Sequence, residues 1–586
     1  MRFFKLFFAS LLGTVAGMVA TFFLVVGGVA WLATFSGKGP SDKADNYEDG
    51  VILHLEFQGG VVDYIRQDPM RFLELITDQG APQPVSLVQV VEMIRRAGEA
   101  KQIKSILLDL RGSSLSWTAA DTIRKELLGI KGKKKITAYS ESYNELDLFV
   151  ASAADHVVMV PHGYVEFNGL SFDQIYMKRA LDGLEIKPIL VRAGAYKAAA
   201  EPLIRETMSE EEKEQLQAYL SSVWKYVSEA IISRKPEELK TLNQLADSMS
   251  IVTDKDAYDY RLIDDLKYYD EVVSKPENLI SMSEFYRKIK SSKSLKSLDP
   301  RVGVLYLEGE IGSGWAAREG IGSETVAHIL EKLEESEDEI KALVIRVNSP
   351  GGDVVASEVI NRAFVKVAEK MPVIISFGDM AASGGYYISS IGRPIFADPL
   401  GLTGSIGVFT LGFNIEGLMK NKLRVSSESV KTHALSDFMS STRNPSEAEI
   451  KILEKGVQEA YARFLEITAE GRGKKVEEIE PLAQGRIWSG LQAKENGLVD
   501  QMGHLIDALD QAAKEANVKG PYQIVTLNDM IYWSSIWEEL NSMNSSTSIQ
   551  NIFKKWGLGS LWNSLTQVSE GPRRPLLLEA RNLKIH

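Results

Sequence analysis

The chain contains no cysteine. That absence removes disulfides, thiolate nucleophiles, iron–sulfur clusters and cysteine-built zinc sites together, while leaving the compartment open, because exported proteins without disulfides are common. Histidine is scarce, with seven in 586 residues, and no HExxH, EF-hand or P-loop pattern occurs. Positive charge is in deficit. The 67 Lys and Arg against 79 Asp and Glu leave a net charge of −12, which repels a polyanion and excludes nucleic acid as an expected partner. Charge of either sign is missing from residues 6–37. That run exceeds the roughly 20 apolar residues needed to cross a bilayer, so residues 7–35 are expected to form a transmembrane helix. Arg2 and Lys5 precede it while Asp42, Asp45, Glu48 and Asp49 follow it. The asymmetry predicts a single-pass anchor with a cytoplasmic N-terminus and an exported body. The flank around Ala30 and Ala33 gives no good small-x-small cleavage site for the alternative, a removed signal peptide.

What is present is ordinary globular composition, 44% hydrophobic and 25% charged, on a chain too long for one core. One pattern is written twice. Residues 136–169 lie without a gap over residues 374–407, each a β-type run, a turn, a helix-like segment and a β-type run through a proline. Under this alignment Ser383 falls opposite Glu145, and the turn Asn348-Ser349-Pro350-Gly351-Gly352 falls opposite Arg111-Gly112-Ser113-Ser114. Only the second copy keeps groups suited to chemistry, so the halves are expected to have different jobs. The parallel continues in Ser209 with Glu212 and Ser446 with Glu449, each a capping box opening a long helical pattern. β-type runs alternate with helical patterns, which predicts an α/β fold with a mainly parallel sheet. The expected organisation is a cytoplasmic end and anchor at 1–36, a polar tether at 37–50, a first repeat at 51–266, a Ser/Lys-rich linker at 267–300 with one helix, a second repeat at 301–519, and a tail at 520–586.

Ser383 stands in Ala381-Ala382-Ser383-Gly384-Gly385, between a predicted strand and a helical pattern. A serine at such a turn sits where free backbone amides stabilise developing negative charge. Gly351-Gly352 closes the equivalent turn on the preceding strand, and two such turns on neighbouring parallel strands would set both groups of amides at one sheet edge, as in an oxyanion hole. A serine nucleophile needs a base. His433 and His504 follow Ser383 in the order a hydrolase triad requires, without a supporting local motif. The alternative is a neutral lysine in apolar surroundings. Lys197, within Ala193-Gly194-Ala195-Tyr196-Lys197-Ala198-Ala199-Ala200-Glu201, has small neighbours and only Glu201 as a nearby counter-charge, and the matching stretch of the second copy, residues 431–436, has no lysine at the equivalent place.

AGAYKAAAEPLIR, NSPGGD, GDMAASGGYYIS and LTGSIGVF together, in this order along the chain, resemble the motifs of the signal peptide peptidase A family in its long, duplicated form. The resemblance spans roughly residues 51–513 and the apolar N-terminus. It implies two tandem Clp/crotonase-like repeats of ββα type and a membrane-bound serine peptidase with a Ser/Lys dyad. Ser383 would be the nucleophile, Lys197 the general base, Ser405 the residue orienting the lysine, and Gly384 and Gly351 the oxyanion-hole donors. It further implies a homotetramer in the bacterial inner membrane, with its body on the extracytoplasmic side and cleaved signal peptides as substrates. No metal or other cofactor is expected. The readings that compete with it are an esterase using Ser383 with His433 or His504, a crotonase-like acyl-CoA enzyme, and a non-catalytic membrane scaffold.

Overall fold

The computed structural model describes residues 50–65, 82–292, 300–315, 320–335 and 340–529. The expected anchor at 7–35 and most of the expected tail lie outside them. Among the described residues no helix is long and apolar enough to cross a membrane.

The repeat read from the sequence is a repeat of sheets. The first half includes the strands β1 (Val51–Glu56), β2 (Ile103–Asp109), β3 (Lys135–Tyr143), β4 (His156–Val165), β5 (Lys187–Ala193), β6 (Asp265–Leu266) and β7 (Leu279–Ser281). Six of them pair in the order β6-β4-β3-β2-β1-β7, while β5 leaves the sheet. The second half contains β8 (Arg301–Glu308), β9 (Ile340–Ser349), β10 (Val373–Ala382), β11 (Ile395–Ala397), β12 (Leu402–Gly404), β13 (Val408–Asn414), β14 (Ile487–Ser489), β15 (Gln501–Met502) and β16 (Gln523–Thr526). Its main sheet runs β14-β12-β10-β9-β8-β16, with β11 beside β10 and β15 beside β11. The pairings β8–β9, β9–β10 and β10–β12 are parallel, and only β14 is antiparallel to its neighbour.

Parallel strands need both faces covered, and alternate side chains of the second sheet supply two cores. Leu305, Leu307, Leu343, Ile345 and Val347 join one cluster with Ile360 and Phe364 of helix α6 (Val354–Ala368) and Tyr461 and Phe464 of helix α8 (Glu447–Arg472), in which the short helix α7 (Gly384–Ser389) is also buried. Val302, Val304, Tyr306, Ala342 and Val344 join the other, against Leu505, Ala508, Leu509 and Ala512 of helix α9 (Leu505–Glu515). Val91, from helix α1 (Leu87–Glu99) of the first half, is part of this second cluster, so one core is shared between the repeats.

The two expected capping boxes behave differently. Ser446 caps α8 reciprocally with Glu449. Ser209 caps helix α4 (Glu210–Ile232) through Glu212 N, but Glu212 accepts from Tyr176 Oη, and the Ser209 amide donates to Glu201 instead. The segment 267–300 does hold the expected helix, α5 (Met282–Ser292), and it also holds β7, which completes the first sheet beside β1. Likewise β16, beyond residue 519, pairs with β8. Polar composition marks both segments as boundaries, yet three or four residues suffice to add an edge strand.

Candidate active site

Strands β9 and β10 are parallel neighbours, so the turns after them meet at one sheet edge. Ser383, between β10 and α7, has φ 52° and ψ −119°. A β-carbon in that region costs on the order of 1–3 kcal/mol, and the surrounding bonds enforce it. Ser383 N donates to Gly404 O at 2.9 Å, and Tyr387 N donates to Ser383 O at 2.9 Å. The glycine turn presses against it. With φ 104°, Gly351 could not carry a β-carbon, which would stand 2.5 Å from Gly384 N and 2.7 Å from Ser383 Cβ. The Gly351 amide donates to Ser349 Oγ at 3.1 Å. The next amide, Gly352 N, lies 3.1 Å from where a β-carbon on Gly384 would sit.

Lys197 reaches this edge from the first repeat because β5 pairs antiparallel with β13 of the second, Ala193 opposite Val408 and Lys187 opposite Asn414. The turn following β5 is then fixed by residues 484–486. Tyr196 N donates to Gln484 O at 2.8 Å, and a β-carbon on Gly485 would lie 2.6 Å from Lys197 Cβ. The same segment holds the opposite wall of the site: Ser405 N donates to Arg486 O at 2.7 Å and Gly485 N to Ile406 O at 2.8 Å.

Lys197 Nζ consequently stands 2.8 Å from Ser383 Oγ, 2.8 Å from Ser405 O and 3.0 Å from Ser405 Oγ. These three neutral acceptors match the three N–H bonds of an ammonium, and none supplies a compensating charge. Lys197 is buried, and loss of hydration lowers its pKa from the ordinary lysine value to about 7. Glu201, the one acidic neighbour in sequence, is engaged elsewhere, accepting from Arg192 at 2.9 Å. An amine that sheds its proton near neutrality keeps two N–H bonds for Ser405 and turns a lone pair towards the serine hydroxyl.

The structure brings Ser383, Lys197, Ser405, Gly384 and Gly351 together and leaves both candidate histidines out. His433 is exposed, with Nδ1 3.0 Å from Thr432 Oγ1. His504 is buried between Asp398 and Asp121. At the equivalent place in the first repeat, Glu145 Oε1 accepts from Asn168 N and Gly169 N at 2.8 and 3.1 Å, and Ser113 Oγ donates to Asp147. That copy is closed by its own side chains. Gln484, Gly485 and Arg486 were not among the sequence candidates. Their one local signal, a glycine flanked by polar residues in AQGRIWSG, is that of any tight turn.

The family model described as Peptidase family S49 matches residues 130–283 and again 365–519, one match in each repeat. The chain belongs to peptidase family S49. It is 32% identical to Protease 4 of Haemophilus influenzae over 513 residues, covering 83% of this chain and 82% of that protein. Protease 4 of Salmonella typhi is 33% identical over 461 residues, 75% of this chain and 73% of that protein. A putative signal peptide peptidase SppA of Enterococcus faecium is 38% identical over 263 residues, 44% of this chain and 75% of its own length. Membership of S49 makes the chain a serine peptidase with a duplicated mixed α/β body.

Proposed function

We propose that the chain is a membrane-anchored endopeptidase with a Ser/Lys dyad, acting on cleaved signal peptides and other hydrophobic peptides at the extracytoplasmic face of the bacterial inner membrane. The observation that carries the dyad is the 2.8 Å contact between Lys197 Nζ and Ser383 Oγ, made by an amine with no charged partner. In this reading neutral Lys197 takes the Ser383 proton as Oγ attacks the peptide carbonyl, then passes it to the leaving amine. Water, deprotonated by the same amine, resolves the acyl-enzyme. Ser405 holds the lysine in line through its carbonyl and hydroxyl oxygens. Gly384 donates to the oxyanion, and because the Gly351 amide is engaged with Ser349, its neighbour Gly352 is favoured over it as the second donor.

The substrate class and the anchor rest on other grounds. The Enterococcus relative bears the description signal peptide peptidase, and the uncharged run at 6–37 would hold the body beside a bilayer, where spent signal peptides lie. The repeats are taken to be of the Clp/crotonase-like type and the assembly to be a homotetramer, as the motif resemblance implies. Fluorophosphonate labelling of the purified full chain tests the dyad. Wild type should label at Ser383, while Ser383→Ala and Lys197→Ala should not. Undiminished labelling of Lys197→Ala would refute the dyad.

A further inference from the structure

A second cluster of ionisable side chains lies away from the dyad, and the peptidase chemistry makes no use of it. Asp121 comes from helix α2 (Trp117–Gly129) of the first repeat, Asp398 from the turn after β11, and His504 from the residue preceding α9. All three are buried, at 0%, 1% and 6% exposure. One ligand atom from each lies within 4.8 Å of the others. His504 Nε2 is 3.6 Å from Asp121 Oδ2, close to the ~3.4 Å that separates two ligands on a tetrahedral zinc with bonds of about 2.0–2.1 Å. Two of the converging atoms, His504 Nε2 and Asp398 Oδ2, have no hydrogen-bond partner. Asp398 Oδ2 lies 2.9 Å from His504 Nδ1 without an aligned hydrogen bond.

We propose that Asp121, Asp398 and His504 form a structural site for a divalent transition-metal cation of the Zn²⁺ type, clamping the two repeats together behind the dyad. One imidazole nitrogen and two carboxylate oxygens are a donor set that suits zinc, whereas calcium takes 6–8 oxygens and magnesium keeps its waters. Two carboxylates, a neutral imidazole and a dication sum to zero charge. The facing cations are Lys125, 2.8 Å from Asp121 Oδ2, and, farther off, Arg124 and Arg346. Lys125 is the competitor: its side chain is 37% exposed, so its ammonium can withdraw to water when a metal takes the carboxylate.

The site has a route to the chemistry. Asp398 Oδ1 accepts from Leu400 N at 2.8 Å, and this turn leads into β12 and on to Ser405, which grips Lys197. Tyr226 Oη, from α4, donates to Asp121 Oδ1 at 3.1 Å, so α4 is tied to the same point.

The test is zinc content and thermal midpoint of the full chain, dialysed against micromolar free Zn²⁺. One zinc per chain and a raised midpoint are expected. His504→Gln and Asp398→Asn should each weaken retention by ~10-fold or more, and Lys125→Met, which removes the competing ammonium, should strengthen it by ~10-fold. Because Lys125 is partly exposed, that variant reports even where a buried substitution fails to fold. Sub-stoichiometric zinc in wild type, undiminished retention in His504→Gln, or retention unchanged in Lys125→Met would each overturn the site.

Discussion

In the proposed mechanism, Lys197 is the residue on which the chemistry and its cost converge. Holding a lysine at a pKa of about 7 means that the folded state disfavours its proton. The depression from an ordinary value near 10.4 corresponds to about 4 kcal/mol at neutral pH. The unfolded chain binds this proton more readily, so stability rises with pH between about 7 and 10 and is lowest where the buried lysine is charged. Lys197→Met should therefore abolish peptidase activity while raising the thermal midpoint at pH 7. The gain should shrink as the pH approaches 10, as calorimetry across that window would show. An unchanged midpoint at every pH would mean that the amine is not desolvated. Gly485 makes a second, steric prediction. Its φ of 79° and the 2.6 Å gap to Lys197 Cβ leave no room for a methyl group. Gly485→Ala should cut kcat by ~10²-fold or more by displacing the lysine, a loss that kinetics on a soluble peptide would register.

At the scale of elements, the site exists because β5 abandons its own sheet and pairs with β13. Proline in that ribbon removes a donor from the ladder. Val191→Pro, opposite Thr410, should uncouple Lys197 from Ser383 and suppress labelling, while circular dichroism keeps the signal of two intact sheets. Elements of this kind also mark where the sequence could be read and where it could not. Ser383 and the glycine turn stood out by local composition, whereas Lys197 gained its role, and Ser405 entered at all, only through the resemblance of their motifs to a known family; the helices opened by Ser209 and Ser446 were legible from their caps. The β5–β13 ribbon, the clasp at 484–486 and the strands β7 and β16 were not, since their partners lie far away along the chain and period-two patterning does not name a partner. The Gly351 amide illustrates a finer limit. Two adjacent glycines announce close approach, but the hydroxyl of Ser349 decides which amide is engaged.

At the scale of the whole molecule, the proposed dyad divides two tasks between the copies: one repeat retains the serine and its amides, and the other has closed its own turn with Glu145 and places a lysine beside that serine. The halves are held in register by a shared core and by Arg346 of β9, whose guanidinium is bidentate to Asp63 at 2.7 and 3.2 Å and also donates to Ser376 Oγ and Phe377 O. Removing one partner of such a buried pair costs about 3–5 kcal/mol. Arg346→Ala should lower stability by that order in denaturant titrations, and adding Asp63→Leu should recover part of the loss. If the single substitution proves neutral, the pair is not what aligns the repeats. The account as a whole stands on an uncharged lysine beside Ser383, and its most direct test is the rate of fluorophosphonate labelling of Ser383 as a function of pH. The rate should rise about tenfold per pH unit below 7, level off just above it, and vanish throughout in Lys197→Ala. A rate still climbing through pH 9 to 10, as an ordinary solvated lysine would give, or one indifferent to Lys197, would contradict the mechanism.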